Sequence, residues 1–279
     1  MTSVTFIDPA RSAAFERDGY TVLPPIDRSV VAELMDTYDQ LGTPAVTGMY
    51  SNVQGQAQAV NEEIARRIVE VLEPQVRDHI LGYRVQGGVF IVKGAGDKSE
   101  CPLHQDWNAV DESEAVGLVA WVPLVDVDRE NGCLVVVPGT HRHDAFPTLR
   151  GPNVDSAHLP IEGVLKESVV SLPMRAGEIC IFAQSLFHGS WTNRSDRTRV
   201  ALYAAALPKD ARMIQYLRDS SGAVRQVEVD EGFYYSGEAA RWASGDVPPD
   251  LSTHPSVSAD HELVAESELL RFVNTRRRP

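Results

Sequence analysis

Three groups of residues in this chain have types and spacings that could do chemistry. The first is His104-Gln105-Asp106. On an extended strand, residues two apart point to the same face, so an imidazole and a carboxylate can be presented side by side. The second is His188, far downstream, where another strand could bring a third ligand. Two histidines and one carboxylate on one face of an octahedron leave three positions open, the arrangement of non-haem Fe(II) oxygenases. Those positions can take a bidentate 2-oxo acid and then O2. The third is Arg199, which closes the stretch HGSWTNRSDRTR that His188 opens. A turn through Asn193, Ser195 and Asp196 would return Arg199 beside His188 on a neighbouring strand. Its guanidinium offers a planar two-point contact suited to the distal carboxylate of 2-oxoglutarate. Arg197 competes for that role, although its flanking Ser195 and Asp196 place it on an exposed turn, and Arg194 reads as solvated.

Elements that could position these groups follow from periodicity. Residues 1–82 read as a mainly helical scaffold. A short helix starts at Pro9 and closes at Gly19, a second covers Ser29 to Leu41 behind the cap Asp27, and a third runs from a cap at Asn61 to about Leu81 with a bend at Pro74. From Tyr83 the texture changes to VQGGVFIVK, VGLVAWVPLVDV, CLVVVP, VLKESVVSL, EICIFA and RVALYAAAL, short apolar runs bounded by Gly, Pro, Asn and Asp. Successive short strands without intervening helices predict an antiparallel jelly roll over residues 83–207. Asn131-Gly132 reads as a tight turn and Pro138 to His141 as a loop leaving a strand. Residues 208–279 form an extension with one helical stretch near 261–273. The whole reads as one domain.

Bulk properties narrow the function. The 279 residues are 43% hydrophobic and 23% charged, ordinary for a globular chain with one buried core. A formal charge of -13 argues against nucleic acid, which demands clustered cations, and the trio Arg276, Arg277 and Arg278 reads as a solvated tail. The opening MTSVTFIDPA lacks a basic and apolar leader, and no run reaches the roughly 18 apolar residues of a membrane span, so cytoplasmic residence is expected. Cys101, Cys133 and Cys180 are odd in number and unpaired in pattern, which predicts reduced thiols. His141 and His143 read as surface residues, and His79, His158, His254 and His261 as structural. Two polar connections, residues 46–58 and 142–158, are candidate lids over a small-molecule substrate.

Four stretches, FERDGYTVLPP, CPLHQDWN, AWVPLVDVDRENGCLVVVPGTHR and HGSWTNRSDRTR, resemble the phytanoyl-CoA dioxygenase (PhyH-like) family of Fe(II)/2-oxoglutarate oxygenases. Together they cover most of Phe15 to Leu207. The resemblance implies a mainly β fold with flanking helices around a double-stranded β-helix (jelly-roll, cupin-like) core. It implies that His104, Asp106 and His188 bind Fe(II), with 2-oxoglutarate and O2 as cosubstrates, and that Arg199 holds the 2-oxoglutarate C5 carboxylate. Trp121 would line the cosubstrate pocket or simply pack the core; Gln105 and Ser190 would contact the ligand set or cosubstrate. Lys93 matches a basic position on a strand entering the site, as a direct contact or on the rim. Relatives that halogenate replace the carboxylate ligand by a small residue, so Asp106 favours hydroxylation or a related oxidation. Small metabolites and natural-product intermediates are the expected substrates. Two rival functions remain open: a zinc hydrolase, which shares the ligand set, and a non-catalytic binding relative that keeps the barrel.

Overall fold

The computed structural model describes residues 4–42, 47–141, 149–154 and 165–257. The strand-like runs form two antiparallel sheets that build a double-stranded β-helix. Strands β1 (Tyr20–Leu23), β2 (Met49–Ser51), β3 (Tyr83–Lys93), β4 (Cys101–His104) and β5 (Leu118–Pro123) are followed by β6 (Leu134–Val136), β7 (Val170–Leu172), β8 (Ile179–Ala183), β9 (His188–Ser190) and β10 (Arg199–Pro208). The larger sheet has the order β1-β8-β5-β10-β3-β2 and the smaller one β4-β9-β6-β7. From β7 onward consecutive strands thus alternate between these two sheets, and the chain from β9 to β10 crosses from one wall to the other. Strands β5 and β8 are buried at every position, as continuous apolar runs must be when both faces are covered.

Helices cover the larger sheet. Asp8 caps helix α1 (Pro9–Asp18) and Gly19 ends it in the left-handed conformation (φ 83°), its N–H donating to the Phe15 carbonyl. Asp27 caps α2 (Arg28–Gln40) by accepting from the Ser29 N–H, as expected. The third helix, α3 (Gln58–His79), begins three residues before the expected cap and continues through Pro74. Asn61 is not its cap but a buried residue of the first turn, bonded to the Asn52 side chain at 2.7 Å, while Asn52 Oδ1 accepts from the Phe90 N–H of β3. That partner lies nine residues upstream, beyond the reach of a capping pattern. Ile64, Ile68, Leu72 and Val76, at four-residue spacing, bury one stripe of α3. Ile68 lies so close to Gly88 of β3 that any Cβ there would collide with it.

The region beyond residue 208 departs from expectation. It holds a third sheet, β11 (Ile214–Arg218), β12 (Val224–Glu228) and β13 (Ser256–Val257) in that order. Asp219, whose carboxylate accepts from Ser221 and Ala223 N–H groups, makes the β11–β12 turn with Gly222. The signal was present in IQYLR-DSSGA-VRQVE, a hairpin pattern of two runs around a Gly-containing turn. The helical stretch expected near 261–273 lies outside the described residues, as do residues 142–148 and 155–158 of one candidate lid and residue 46 of the other. Among the described residues no helix is long and apolar enough to cross a membrane. All three cysteines are free; Cys133 and Cys180 are fully buried.

Candidate metal and cosubstrate site

His104 and His188 meet across β4 and β9, where they are direct partners in register, with ring centroids 4.3 Å apart. Cys101 pairs with Ser190 at the other end of the same ladder, so β4 carries one residue more than β9 between the two pairs. Such a bulge re-aims side chains, and it is here that the ligand strand turns toward its carboxylate. Gly189 permits the close approach, since a Cβ on it would lie 2.6 Å from the Cys101 carbonyl oxygen.

Asp106 differs from the expected same-strand placement: β4 ends at His104, and Asp106 lies just past it. Main-chain bonds replace the ladder there. Its N–H donates to the Gln184 carbonyl at 3.0 Å, and its own carbonyl accepts from Arg150 Nε at 2.7 Å. The Asp106 oxygens stand 3.8 Å from His104 Nε2 and 3.7 Å from His188 Nε2.

Both histidines are oriented by one device. Nδ1 of His104 bonds to the Pro102 carbonyl at 2.9 Å and Nδ1 of His188 to the Leu186 carbonyl at 3.0 Å, each two residues upstream. With Nδ1 as donor, Nε2 of each neutral ring presents its lone pair to a cation; against the effect of burial, Cys101 and Asp106 raise the His104 pKa to about 9, so a cation binding there displaces a proton. Burial pulls the His188 pKa down to about 4 despite the Asp106 charge, so this imidazole is neutral at neutral pH. Asp106 Oδ2 is buried without a hydrogen-bond partner among the described residues. One atom from each of His104, Asp106 and His188 falls within 4.8 Å of the others. An orphaned carboxylate oxygen beside two preset imidazoles fits a divalent metal with His and carboxylate ligands.

Beside these three groups, a cavity of about 470 Å³ opens between the sheets. Arg199 lines it from the start of β10, on the opposite wall from His188. The expectation of a neighbouring strand is therefore corrected. The turn itself forms, with Asn193 donating to the Arg197 and Lys93 carbonyls, but it delivers the chain to the other sheet. Arg199 is 2% exposed, forms no ion pair among the described residues, and leaves Nε without a partner. Burial lowers its pKa to about 10, which still leaves it charged at neutral pH. Trp121 lies under it, the guanidinium carbon 5.4 Å from the ring centroid. Arg197, the competitor, is exposed.

Gln105 and Ser190 also line the cavity. Gln105 Nε2 is held by the Ser185 carbonyl at 2.6 Å, and its Oε1 is buried without a partner. Lys93 is neither a rim residue nor a cavity residue. It is fully buried, and its ammonium donates to the carbonyls of Ser99, Trp191 (2.6 Å) and Ser190 (3.4 Å), so it braces the loop after β9. Burial and the nearby Arg199 lower its pKa to about 7.

Several residues escaped the sequence reading. Tyr203 and Ala205 share the cavity face with Arg199, a placement that simple alternation along β10 would have signalled. Tyr234 reaches the cavity from the unexpected C-terminal region. Arg150 forms a buried two-point pair with Glu112, at 3.0 and 2.5 Å, and through Nε holds the Asp106 carbonyl. No local pattern announced that pair, because its members are separated by 38 positions.

A family model described as Phytanoyl-CoA dioxygenase (PhyH) matches residues 15–201, more than half of the sequence. The chain belongs to this family. Among its PhyH relatives, a phytanoyl-CoA dioxygenase of Arabidopsis thaliana is 33% identical over 127 residues, 43% of this chain and 44% of that one. The peroxisomal phytanoyl-CoA dioxygenase of Bos taurus is 37% identical over 111 residues, 37% of this chain and 32% of that one. The chain thus spans under half the length of these curated relatives in the matched segments. Among solved structures, the epimerase SnoN in complex with Fe3+, alpha ketoglutarate and nogalamycin RO superimposes with a TM-score of 0.52 at 25% identity, covering 74% of this chain and 87% of SnoN. EctD from S. alaskensis, with 2-oxoglutarate and 5-hydroxyectoine, gives a TM-score of 0.53 at 23% identity, over 74% of this chain and 78% of EctD, and supports the fold.

Proposed function

We propose that this PhyH-family chain is an Fe(II)/2-oxoglutarate-dependent dioxygenase that oxidises an unactivated C–H bond of a small molecule, with succinate and CO2 as co-products. The observation that carries the reading is Arg199: a fully buried guanidinium, without a carboxylate partner among the described residues, in the same cavity as the His104, Asp106 and His188 set. A buried cation needs a partner, and the distal carboxylate of a 2-oxo diacid supplies one.

His104, Asp106 and His188 would hold the metal, and Arg199 with Trp121 would hold and flatten the far end of the cosubstrate. When bound, the iron and 2-oxoglutarate supply the O2-dependent oxidising power. The protein's part is orientation and dryness. The Pro102 and Leu186 carbonyls fix the two imidazoles, and Phe182, 4.6 Å from the His188 ring, keeps water from its flank. Asp106, by keeping its carboxylate on the metal, favours oxygenation over halogenation, with hydroxylation as the simplest outcome. SnoN and its nogalamycin ligand support a natural-product intermediate as substrate. Residence in the cytoplasm remains part of the proposal.

A zinc hydrolase could use the same three ligands but would leave Arg199 idle in a dry pocket. Anaerobic titration with Fe(II) and then 2-oxoglutarate, followed by O2 admission, separates the readings. Succinate should form slowly without substrate, depend on both additions, and fail with zinc. Turnover of any ester or amide by the zinc form without O2 would establish the hydrolase instead.

A further inference from the structure

We propose that the substrate is an uncharged, largely apolar molecule whose fixed polar contact is an acceptor oxygen (carbonyl, hydroxyl or ether) bound by the Tyr234 hydroxyl. The proposal deepens the oxygenase reading and rests on it for which groups the metal and cosubstrate occupy.

Tyr234 lies beyond residue 201, where the family match ends, so the match itself assigns it nothing. Its hydroxyl is set by Gln215. The Gln215 amide is fully buried, and Nε2 donates both to the Asn108 carbonyl at 2.8 Å and to the Tyr234 oxygen at 2.9 Å. With that oxygen occupied as an acceptor, the phenol proton is free to donate into the cavity that the ring lines. Burial and the Asp106 charge raise the Tyr234 pKa, which keeps it a neutral donor.

Most of the remaining cavity surface is apolar. Met49, Val53, Val89, Trp107, Phe182 and Ala205 line it. Of the other polar groups, Gln184 Oε1 accepts from the Ala109 N–H at 3.2 Å, Gln86 turns to Arg84 and Glu231, Tyr203 is held by Asp106, and Gln105 stands beside the metal set as the neighbour of His104 and Asp106. Among the described residues lining the cavity, the charged groups are the metal set and Arg199, each already assigned. Arg84, Arg212, Glu228, Asp230 and Glu231 gather instead around a separate cavity of about 420 Å³ that shares Gln86 with the first. A carboxylate, ammonium or phosphate entering the cavity beside the metal set and Arg199 would lose its hydration without gaining a further counter-charge from the described residues, whereas a neutral ring system would lose little.

Matched bicyclic probes test this: 1-decalone as the neutral acceptor, decalin without an acceptor, decalin carboxylate as the anion and aminodecalin as the cation. Each is titrated anaerobically into protein loaded with Fe(II) and 2-oxoglutarate, with fluorescence of the cavity residues Trp107 and Trp121 as the signal. Decalone should bind at least about tenfold more tightly than either charged congener, and Tyr234→Phe should weaken decalone about tenfold while sparing decalin, the loss of one buried hydrogen bond. Equal binding of a charged congener, no binding of decalone, or an unchanged decalone affinity in the folded Tyr234→Phe protein would each overturn the proposal. The visible absorbance of the Fe(II)/2-oxoglutarate chelate is recorded in the same cells. A missing chelate with the probe pattern intact would sink the oxygenase reading alone, and a normal chelate without the pattern would sink this one alone.

Discussion

Asp106 is the residue with least help from its strand and most to do. It would be the anionic member of the proposed ligand set, and Ala in its place removes charge and donor together. Asp106→Ala is expected to lower Fe(II) affinity by on the order of 100-fold or more, a larger loss than removing an indirect support, and to abolish succinate formation. Metal titration followed by equilibrium dialysis reads the first effect, and wild-type affinity would remove Asp106 from the ligand set. Arg199→Ala should act differently. It is expected to weaken 2-oxoglutarate by about 3 kcal/mol or more, the scale for breaking a buried charged pair, with Fe(II) affinity nearly unchanged. Calorimetry with each ligand separates the two. At this scale the residues singled out by type, His104, Asp106, His188 and Arg199, are the ones the fold gathers at one cavity. It misled at Lys93, because a cation near a site says nothing of which carbonyls surround it. Arg150 and Tyr234 were invisible for the same reason, since their partners are brought together only by the fold.

Among the elements, the junction of β4 and β9 holds the two imidazoles, and its tolerance is small. Gly189→Ala places a methyl group 2.6 Å from the Cys101 carbonyl oxygen and must part the strands or distort them. A cost of about 1–3 kcal/mol in stability is expected, the range for overpacking, together with weaker metal binding. Thermal denaturation and metal titration report the two, and a stable variant with unaltered metal affinity would show that the strands can give way without moving the rings. Arg150→Met removes one half of a buried pair and should cost about 3–5 kcal/mol. Because Arg150 also holds the Asp106 carbonyl, its loss should weaken Fe(II) binding in the fraction that stays folded, and native metal affinity there would confine Arg150 to stability. The strands were legible as short apolar runs, and α1 and α2 as capped periodic segments. The start of α3 was misplaced because Asn61 serves a tertiary bond, and the third sheet was overlooked because its strands are short, without clean alternation of apolar and polar residues, and its turn resembles loop.

On the scale of the whole molecule, the double-stranded β-helix could be anticipated from the succession of strands, but the assignment of strands to walls could not. Sequence proximity put Arg199 next to His188 on one wall, and the chain crosses instead. That crossing has a further consequence. The imidazoles stand on one wall and the guanidinium on the other, so the gap between facing sheets, about 10 Å in such sandwiches, sets how far apart the two ends of a guest are gripped. On the proposed reading the pocket would act as a calliper for carbon number. Oxaloacetate should fall short of the far jaw and 2-oxoadipate should buckle, so each is expected to support oxidative decarboxylation, to malonate and glutarate respectively, at least about tenfold less efficiently than 2-oxoglutarate, a discrimination within the reach of one methylene. Comparable use of all three diacids would mean that the jaws open. Selectivity of this kind belongs to no single side chain; it is inherited from the spacing of the walls, and it would survive any change of substrate that leaves the barrel intact.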